Sequence, residues 1–412
     1  MKIKIRYSWF LAIITMIYYM NASCNTASGA SEEGLQDQYL TGHYEGVITG
    51  AERLRMYLPL LKDKKVGLVV NQSSLVMGKH LLDTLLELDV AVKAIYSPEH
   101  GFRGNADAGD HIDNSVDERT GIPIISLYGD RRKPSVEDFE PVDVLVFDIQ
   151  DVGVRFYTYV GTLHYVMETA AESGKPLIVL DRPNPNGHYV DGNLLDTAYH
   201  SFVGMHPVPI VHGMTIGEYA QMINGEGWLE NGEQCELTVI PCQQYDHQTK
   251  YVLPVKPSPN LPNLRSVLLY PTLCLFEGTI MSIGRGTDKQ FQVLGNPDFA
   301  GSFEFTPEPK PGAQNPKLKG EICHGIDFTT LDEDAIRRWR KVDLSYLVDA
   351  YHQLKDHDFF IERSFDRLAG TDQLRLQIES GMTAEAIHQS WQDGIAGFKQ
   401  IRKKYLLYTD FE

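Results

Sequence analysis

Short apolar, β-rich runs alternate with helical patterns from Lys65 to about Ile240, and this alternation restricts the fold more than any other feature of the chain. Strands that are apolar at consecutive positions must be covered on both faces, which happens when helices flank a mostly parallel sheet. The expected strands are Lys65 to Val70, Ala91 to Tyr96, Ile124 to Leu127, Asp143 to Phe147 and Leu177 to Leu180. His80 to Leu88 and Tyr159 to Ser173 read as helices between them, and Thr215 with Glu218 forms a capping box ahead of a helix running towards Asn224.

After Cys242 the composition changes to a proline-rich segment, Lys256 to Pro262, then an apolar run from Val267 to Phe276 and a mixed region. A second capping box, Thr330 with Glu333, is expected to open a helix at Asp332. The chain closes on a helix from about Ala384, with Ile387, Trp391, Ile395 and Phe398 recurring on one face. A chain of this length exceeds one ordinary core, so two domains are expected, with the boundary near Pro241 to Tyr251.

Lys2, Lys4 and Arg6 precede the apolar run Trp9 to Met20 and the small-residue stretch Asn21-Ala22-Ser23-Cys24. A membrane span needs about 20 apolar residues and this run is shorter, so residues 1–23 read as an export signal. Cys24 stands where a bacterial lipoprotein carries its acylated cysteine, although Asn21 occupies the place usually held by Leu. The polar, acidic stretch over residues 24–45 suits a flexible tether. The expectation is an exported, periplasmic protein anchored by lipid at Cys24, touching a membrane only through that anchor.

The full chain carries a formal charge of −17, and the signal takes away three positive charges and no acids, leaving −20. Such a surface lacks the basic stripe that phosphate-backbone binding requires, so nucleic acid is not an expected partner. An anionic substrate would have to be held by arginines inside a site. Besides Cys24 there are Cys235, Cys242, Cys274 and Cys323; an even number permits two disulfides without requiring them, and Cys274 in its apolar run reads as a buried thiol.

In a parallel sheet the loops beyond the carboxyl ends of the strands converge on one crevice. Here they read Asn71-Gln72-Ser73-Ser74, Ser97-Pro98-Glu99-His100-Gly101, Asp148-Ile149-Gln150-Asp151 and Asp181-Arg182-Pro183-Asn184-Pro185-Asn186-Gly187. Asp and Asn cap turns routinely, and that explains any single loop. Four such loops on one rim, with Glu and His among them, point to a site. Arg155 lies among alternating aromatics in Gly153-Val154-Arg155-Phe156-Tyr157-Thr158-Tyr159; a guanidinium can grip a carboxylate through two parallel hydrogen bonds, and tyrosines offer flat faces to sugar rings. Arg285 follows in Gly284-Arg285-Gly286, after Glu277-Gly278. The polar residues from Arg103 to Asp113 follow no calcium-loop spacing, and no H-E-x-x-H, G-x-S-x-G, S-x-x-K, P-loop or G-x-G-x-x-G pattern occurs. Neither a metal nor a cofactor is expected, and what remains is carboxylate chemistry.

Several of these stretches together resemble the NamZ-type exo-β-N-acetylmuramidases, a glycoside hydrolase family formerly catalogued as a domain of unknown function. They are Val69 to Ser74, Ser97 to Gly104, Asp148 to Tyr159, Asp181 to Pro185, Val211-His212-Gly213-Met214-Thr215, Pro257 to Pro262, Glu277-Gly278-Thr279 and Gly284 to Thr287. The resemblance implies a Rossmann-like α/β domain, placed over residues 46–245, and a smaller α+β auxiliary domain over 246–412, with the active site in the cleft between them. It also implies removal of terminal, β-1,4-linked N-acetylmuramic acid from the non-reducing end of peptidoglycan fragments, in wall recycling or salvage. Glu99 is then the expected general acid, with Asp148, Asp151 or Glu277 as base or nucleophile, or the substrate's own N-acetyl group in that role. Arg155, Arg182 or Arg285 would hold the lactyl carboxylate that distinguishes muramic acid from glucosamine. Asn71, Gln72, His100, Arg103, Gln150, Tyr157, Asp181, Asn184 and His212 complete the expected substrate contacts. A sugar-binding envelope lipoprotein without catalysis is the alternative.

Overall fold

Residues buried on both faces of every central strand hold the observed sheet together, as the apolar runs require. The computed structural model describes residues 46–99, 101–102, 115–129 and 131–412. The expected signal, the tether with Cys24, and the candidates His100 and Arg103 lie outside the described residues. The strands of the first part are β1 (Lys65–Val70), β2 (Leu75–Val76), β3 (Lys79–His80), β4 (Ala91–Ser97), β5 (Ser115–Val116), β6 (Pro123–Ser126), β7 (Val144–Asp148), β8 (Leu177–Leu180) and β9 (Leu237–Ile240). Every residue of β7 and β8 is buried, and so is β1 beyond its exposed first lysine. Each fully buried Val, Leu or Ile contributes about 1.5–3 kcal/mol.

Seven of these strands form one sheet in the order β5-β6-β4-β1-β7-β8-β9. All neighbours are parallel except β5, which runs antiparallel to β6 at the edge. From β1 the chain winds through β4 to β6 on one side, then returns to β7 and winds through β8 to β9 on the other. The loops leaving β1 and β7 therefore part in opposite directions, which opens a crevice at the carboxyl ends of these strands.

The helix Tyr159–Ser173 ends on Gly174 in the left-handed region at φ 63°, a cap for which glycine has no steric penalty. Thr215 and Glu218 form the expected capping box of the helix Ile216–Gly225. That helix seats its first turn on the end of β8: the Gly217 N–H donates to Asp181 Oδ1 at 2.8 Å, and a Cβ at Gly217 would lie 2.7 Å from Asp181 Cγ.

The second, smaller part has an antiparallel sheet, β10 (Val293–Asn296), β11 (Phe303–Phe305) and β12 (Cys323–Asp327), in the order β10-β12-β11. The apolar run at Val267 is the helix Leu264–Leu273, which tightens into a 3₁₀ turn over Cys274–Gly278. The helix after Asp332 is present, but its cap is Asp332 itself, whose Oδ1 accepts from the Ala335 N–H at 3.0 Å. Thr330 and Glu333 do not form the expected box there. The closing helix is two helices, Ala384–Ser390 and Gln392–Arg402, meeting at Trp391, and Ile387, Trp391, Ile395 and Phe398 are buried as their spacing indicates. Cys235, Cys242, Cys274 and Cys323 are free, buried thiols.

Candidate active site

The loops at the switch point are stitched to each other before they present anything to a ligand. Asn71 Oδ1 accepts from both the N–H (2.9 Å) and the hydroxyl (2.6 Å) of Ser73. The Ser73 hydroxyl in turn accepts from the Gln150 N–H at 3.0 Å, and the Ser74 hydroxyl donates to the Asp148 carbonyl. Gln72 Nε2 and the Tyr159 hydroxyl both donate to the Pro257 carbonyl at 3.2 Å, which holds the proline-rich segment over the crevice. Backbone groups leaving β1 and β7 are thereby satisfied and the proline-rich segment becomes a wall.

Against that wall lies a pocket of about 140 Å³ whose lining includes Glu99, Tyr157, Thr158, Asn260, Glu277 and Arg285. Both oxygens of Glu99 are oriented: Oε1 accepts from the Tyr128 hydroxyl at 2.8 Å and Oε2 from the Thr158 hydroxyl at 2.7 Å. Opposite in the chain, Glu277 leaves the 3₁₀ turn with Oε1 2.6 Å from Arg285 Nη2, and the side chains of this pair are 27% and 28% exposed. Arg285 also lies over the Phe291 ring at 5.4 Å. Burial works against its charge, yet Glu277 beside it outweighs that and raises the guanidinium pKa. Lys317 fixes the turn from behind, donating to the carbonyls of Phe276, Glu277 and Thr279. Edge-to-face contacts of Tyr157 with Tyr159 (4.9 Å) and of Tyr270 with Phe291 (5.0 Å) give the pocket an aromatic wall. Among the described residues no group of three His, Cys, Asp or Glu side chains is arranged to hold a metal ion.

Of the residues singled out in the sequence, Glu99, Glu277, Tyr157 and Arg285 meet in this pocket. Asp148 does not line it: its carboxylate is fully buried and bidentate to Arg182, at 2.6 Å to Nε and 2.9 Å to Nη2. Arg182 is equally spent, giving Nη2 also to the Leu75 carbonyl, so this pair locks β7 to the β1 loop. Asp151 is buried behind the tyrosines with Oδ2 accepting from the Gly153 N–H at 2.6 Å, and burial pushes its pKa up to about 7.

Arg155 carries no carboxylate. Its guanidinium donates to the carbonyls of Asn193 (2.7 Å), Val208 (2.9 Å), Leu368 (3.4 Å) and Ala369 (2.5 Å). Asp181 accepts from the Thr215 and Tyr408 hydroxyls and the Gly217 N–H. Asn184 ties the Met214 carbonyl to the Asn186 N–H, and Gln150 Nε2 reaches the Asp151 and Pro183 carbonyls. His212 is buried with Nδ1 accepting from the Met214 N–H at 3.3 Å, and burial lowers its pKa to about 3. These residues build the loops that carry the site. Thr158, Tyr128 and Asn260 were not singled out; Tyr128 follows β6, a strand end to which the same crevice rule applies.

The strand order, the crevice at its switch point and a pocket presenting two carboxylates, an arginine and aromatic rings define the class: a doubly wound α/β protein with a pocket equipped for carboxylate chemistry. Residues 66–265 match the family model described as exo-β-N-acetylmuramidase NamZ, N-terminal, and residues 268–408 match its C-terminal counterpart. The peptidoglycan β-N-acetylmuramidase NamZ of Bacillus subtilis is 40% identical, over 93% of this chain and 96% of its own. Two DUF1343-family crystal structures from Bacteroides fragilis, each covering 89% of this chain and matched over all of their own, superpose with TM-scores of 0.83 at 48% identity and 0.75 at 29% identity. The chain belongs to the exo-β-N-acetylmuramidase NamZ family.

Proposed function

We propose that this protein is an exo-β-N-acetylmuramidase that removes terminal β-1,4-linked N-acetylmuramic acid from the non-reducing ends of peptidoglycan fragments. The observation that carries the reading is that Glu99 and Glu277, from the two family-model segments, line one pocket. Glycosidic cleavage needs a proton for the departing oxygen and a second group to meet the developing cation. Glu99, oriented by two hydroxyls that can accept as well as donate, delivers the proton from its protonated form. Glu277, anchored by Arg285, is the group on the other side, and the aromatic wall supports the ring between them.

Arg285 uses Nη2 on Glu277, and its Nε has no hydrogen-bond partner among the described residues. The guanidinium thus keeps donors for the lactyl carboxylate. Export through residues 1–23 and acylation at Cys24 would set this chemistry in the periplasm, where wall fragments arise. A Cys24→Ala protein then appears in the soluble periplasmic fraction, and an unchanged membrane association would remove the anchor from the proposal.

A chromogenic N-acetylmuramide and a defined muramyl disaccharide, with product identification, test the activity. Glu99→Gln is expected to lower turnover by at least about 10²-fold, the low end for general acid catalysis, with an unchanged melting temperature. Normal turnover in that variant, or binding without cleavage by the parent protein, would sink the reading; the latter is what a sugar-capturing lipoprotein would give.

A further inference from the structure

Ser258 lines not only the Glu99 pocket but also a second, larger hollow of about 600 Å³, bordered by Gln72, Lys256, Asp288, Gln290, Lys310 and Gly312. A strongly acidic protein presents two lysines here. Lys310 is paired with Asp288 at 2.5 Å, but Asp288 is 91% exposed, and an exposed pair of this kind exchanges readily for another anion. Lys256 is exposed and makes no ion pair among the described residues. Gln72 spends Nε2 on the carbonyls of Lys256 and Pro257, while its Oε1 is buried with no hydrogen-bond partner among the described residues. An acceptor left in that state costs free energy until a donor reaches it.

An enzyme that takes one sugar from a chain end closes around that sugar and must leave room for the rest of the chain. The small pocket and the open hollow on the other side of Ser258 meet these two needs. We propose that the hollow is the leaving-group subsite, in which Lys256 and Lys310 receive a carboxylate carried by the departing glycan and Gln72 Oε1 accepts from one of its hydroxyl or amide groups. The proposal rests on the activity argued above. The carboxylate belongs either to the lactyl group of a further muramyl unit or to the peptide on it.

Lys256→Ala, Lys310→Ala and the double variant test it by steady-state kinetics on three substrates. These are a chromogenic muramide whose leaving group lacks a carboxylate, a glycan with a further muramyl unit bearing its bare lactyl group, and the same glycan carrying its peptide. KM for the glycans should rise roughly two- to fivefold per lysine, the worth of an exposed charge pair, with kcat and the chromogenic KM unmoved. The difference should shrink at about 1 M salt, where screening acts over about 3 Å. Because the peptide is joined through an amide that consumes the lactyl carboxylate, a rise on the bare-lactyl glycan alone names the lactyl group, a rise on the peptide-bearing one alone names the peptide, and a rise on both names a subsite that takes either carboxylate. Equal KM for parent and double variant on every substrate overturns the subsite, whereas a parent protein inert on the chromogenic muramide overturns the activity itself.

Discussion

Arg285 is the one arginine of the three expected at the substrate that the fold brings to the pocket with donors unspent. A hydrogen bond between charged groups is worth about 1.5–3 kcal/mol, so Arg285→Ala, which also releases Glu277 and therefore slows both sugars, should cost roughly 10- to 100-fold more in kcat/KM on a muramide than on the matching glucosaminide. Equal losses on both sugars would place the lactyl group elsewhere. A buried carboxylate outside the pocket behaves differently. Asp151 is buried and its pKa is pushed up by desolvation to about 7 from 3.8, so between these values the folded chain binds a proton that the unfolded chain has released. Its contribution to stability is fully present below about pH 4 and is lost as pH rises through 7. Asp151→Asn keeps an oxygen for the Gly153 N–H and cannot ionise. The variant should be the more stable at pH 8, by at most about 4 kcal/mol from the pKa difference, and the gap should close near pH 4; urea titrations at both pH values measure it, and a gap independent of pH would show that Asp151 is not the cause.

Whole elements depend on side chains that look functional in isolation. Arg155 gathers four carbonyls, two of them at the last turn of the helix Glu362–Ala369, where a cation also satisfies the unpaired carbonyl ends. Gly370, at φ 72°, lets the chain turn there, because a Cβ would lie 2.8 Å from Arg155 Nη2. Arg155→Ala strands buried carbonyls at about 1–3 kcal/mol each, so it should lower the melting temperature sharply while leaving the preference for muramic over glucosamine substrates intact in the folded fraction. A changed preference at full stability would return Arg155 to the substrate. This explains which parts of the molecule were legible in the sequence. Strands such as Lys65–Val70 and Leu177–Leu180, and the helix Tyr159–Ser173, coincide with the expected runs, because local period and burial determine them. Glu99 and Glu277 stood out as acids in distinctive loops, but their sharing of one pocket depends on the fold of two distant segments. The edge strand β5 and the strand β9 escaped, the first being short and exposed and the second only partly buried. Arg155, Arg182 and Asp181 misled because a polar residue at a strand end reads the same whether it meets a ligand or a neighbouring carbonyl.

On the scale of the molecule, the last residues of the chain return to the first sheet. Arg402 is 1% exposed; it donates to the Gly213 carbonyl at 2.6 Å through Nη2 and pairs with Asp410. The Tyr408 hydroxyl donates to Asp181 at the end of β8 and accepts from the Cys242 N–H, and the Leu407 N–H reaches Glu218, which also meets His247. One apolar core runs from Tyr96 and Phe147 in the sheet region through Tyr270 and Phe276 to Leu347 and Phe398, and Tyr44–Glu412 is a single compact unit. Segments joined only by a small polar interface move and melt separately, whereas a shared core and buried polar ties make them unfold together. Heating should therefore give one transition, coincident by circular dichroism and tryptophan fluorescence, with equal calorimetric and van't Hoff enthalpies. Removing residues 405–412 leaves Arg402 buried without Asp410, and breaking one buried pair costs about 3–5 kcal/mol. The shortened protein should lose stability in both segments at once and lose its pocket with them. If two transitions appear and the truncation moves only one of them, the two segments are independent and residues 405–412 do not couple them.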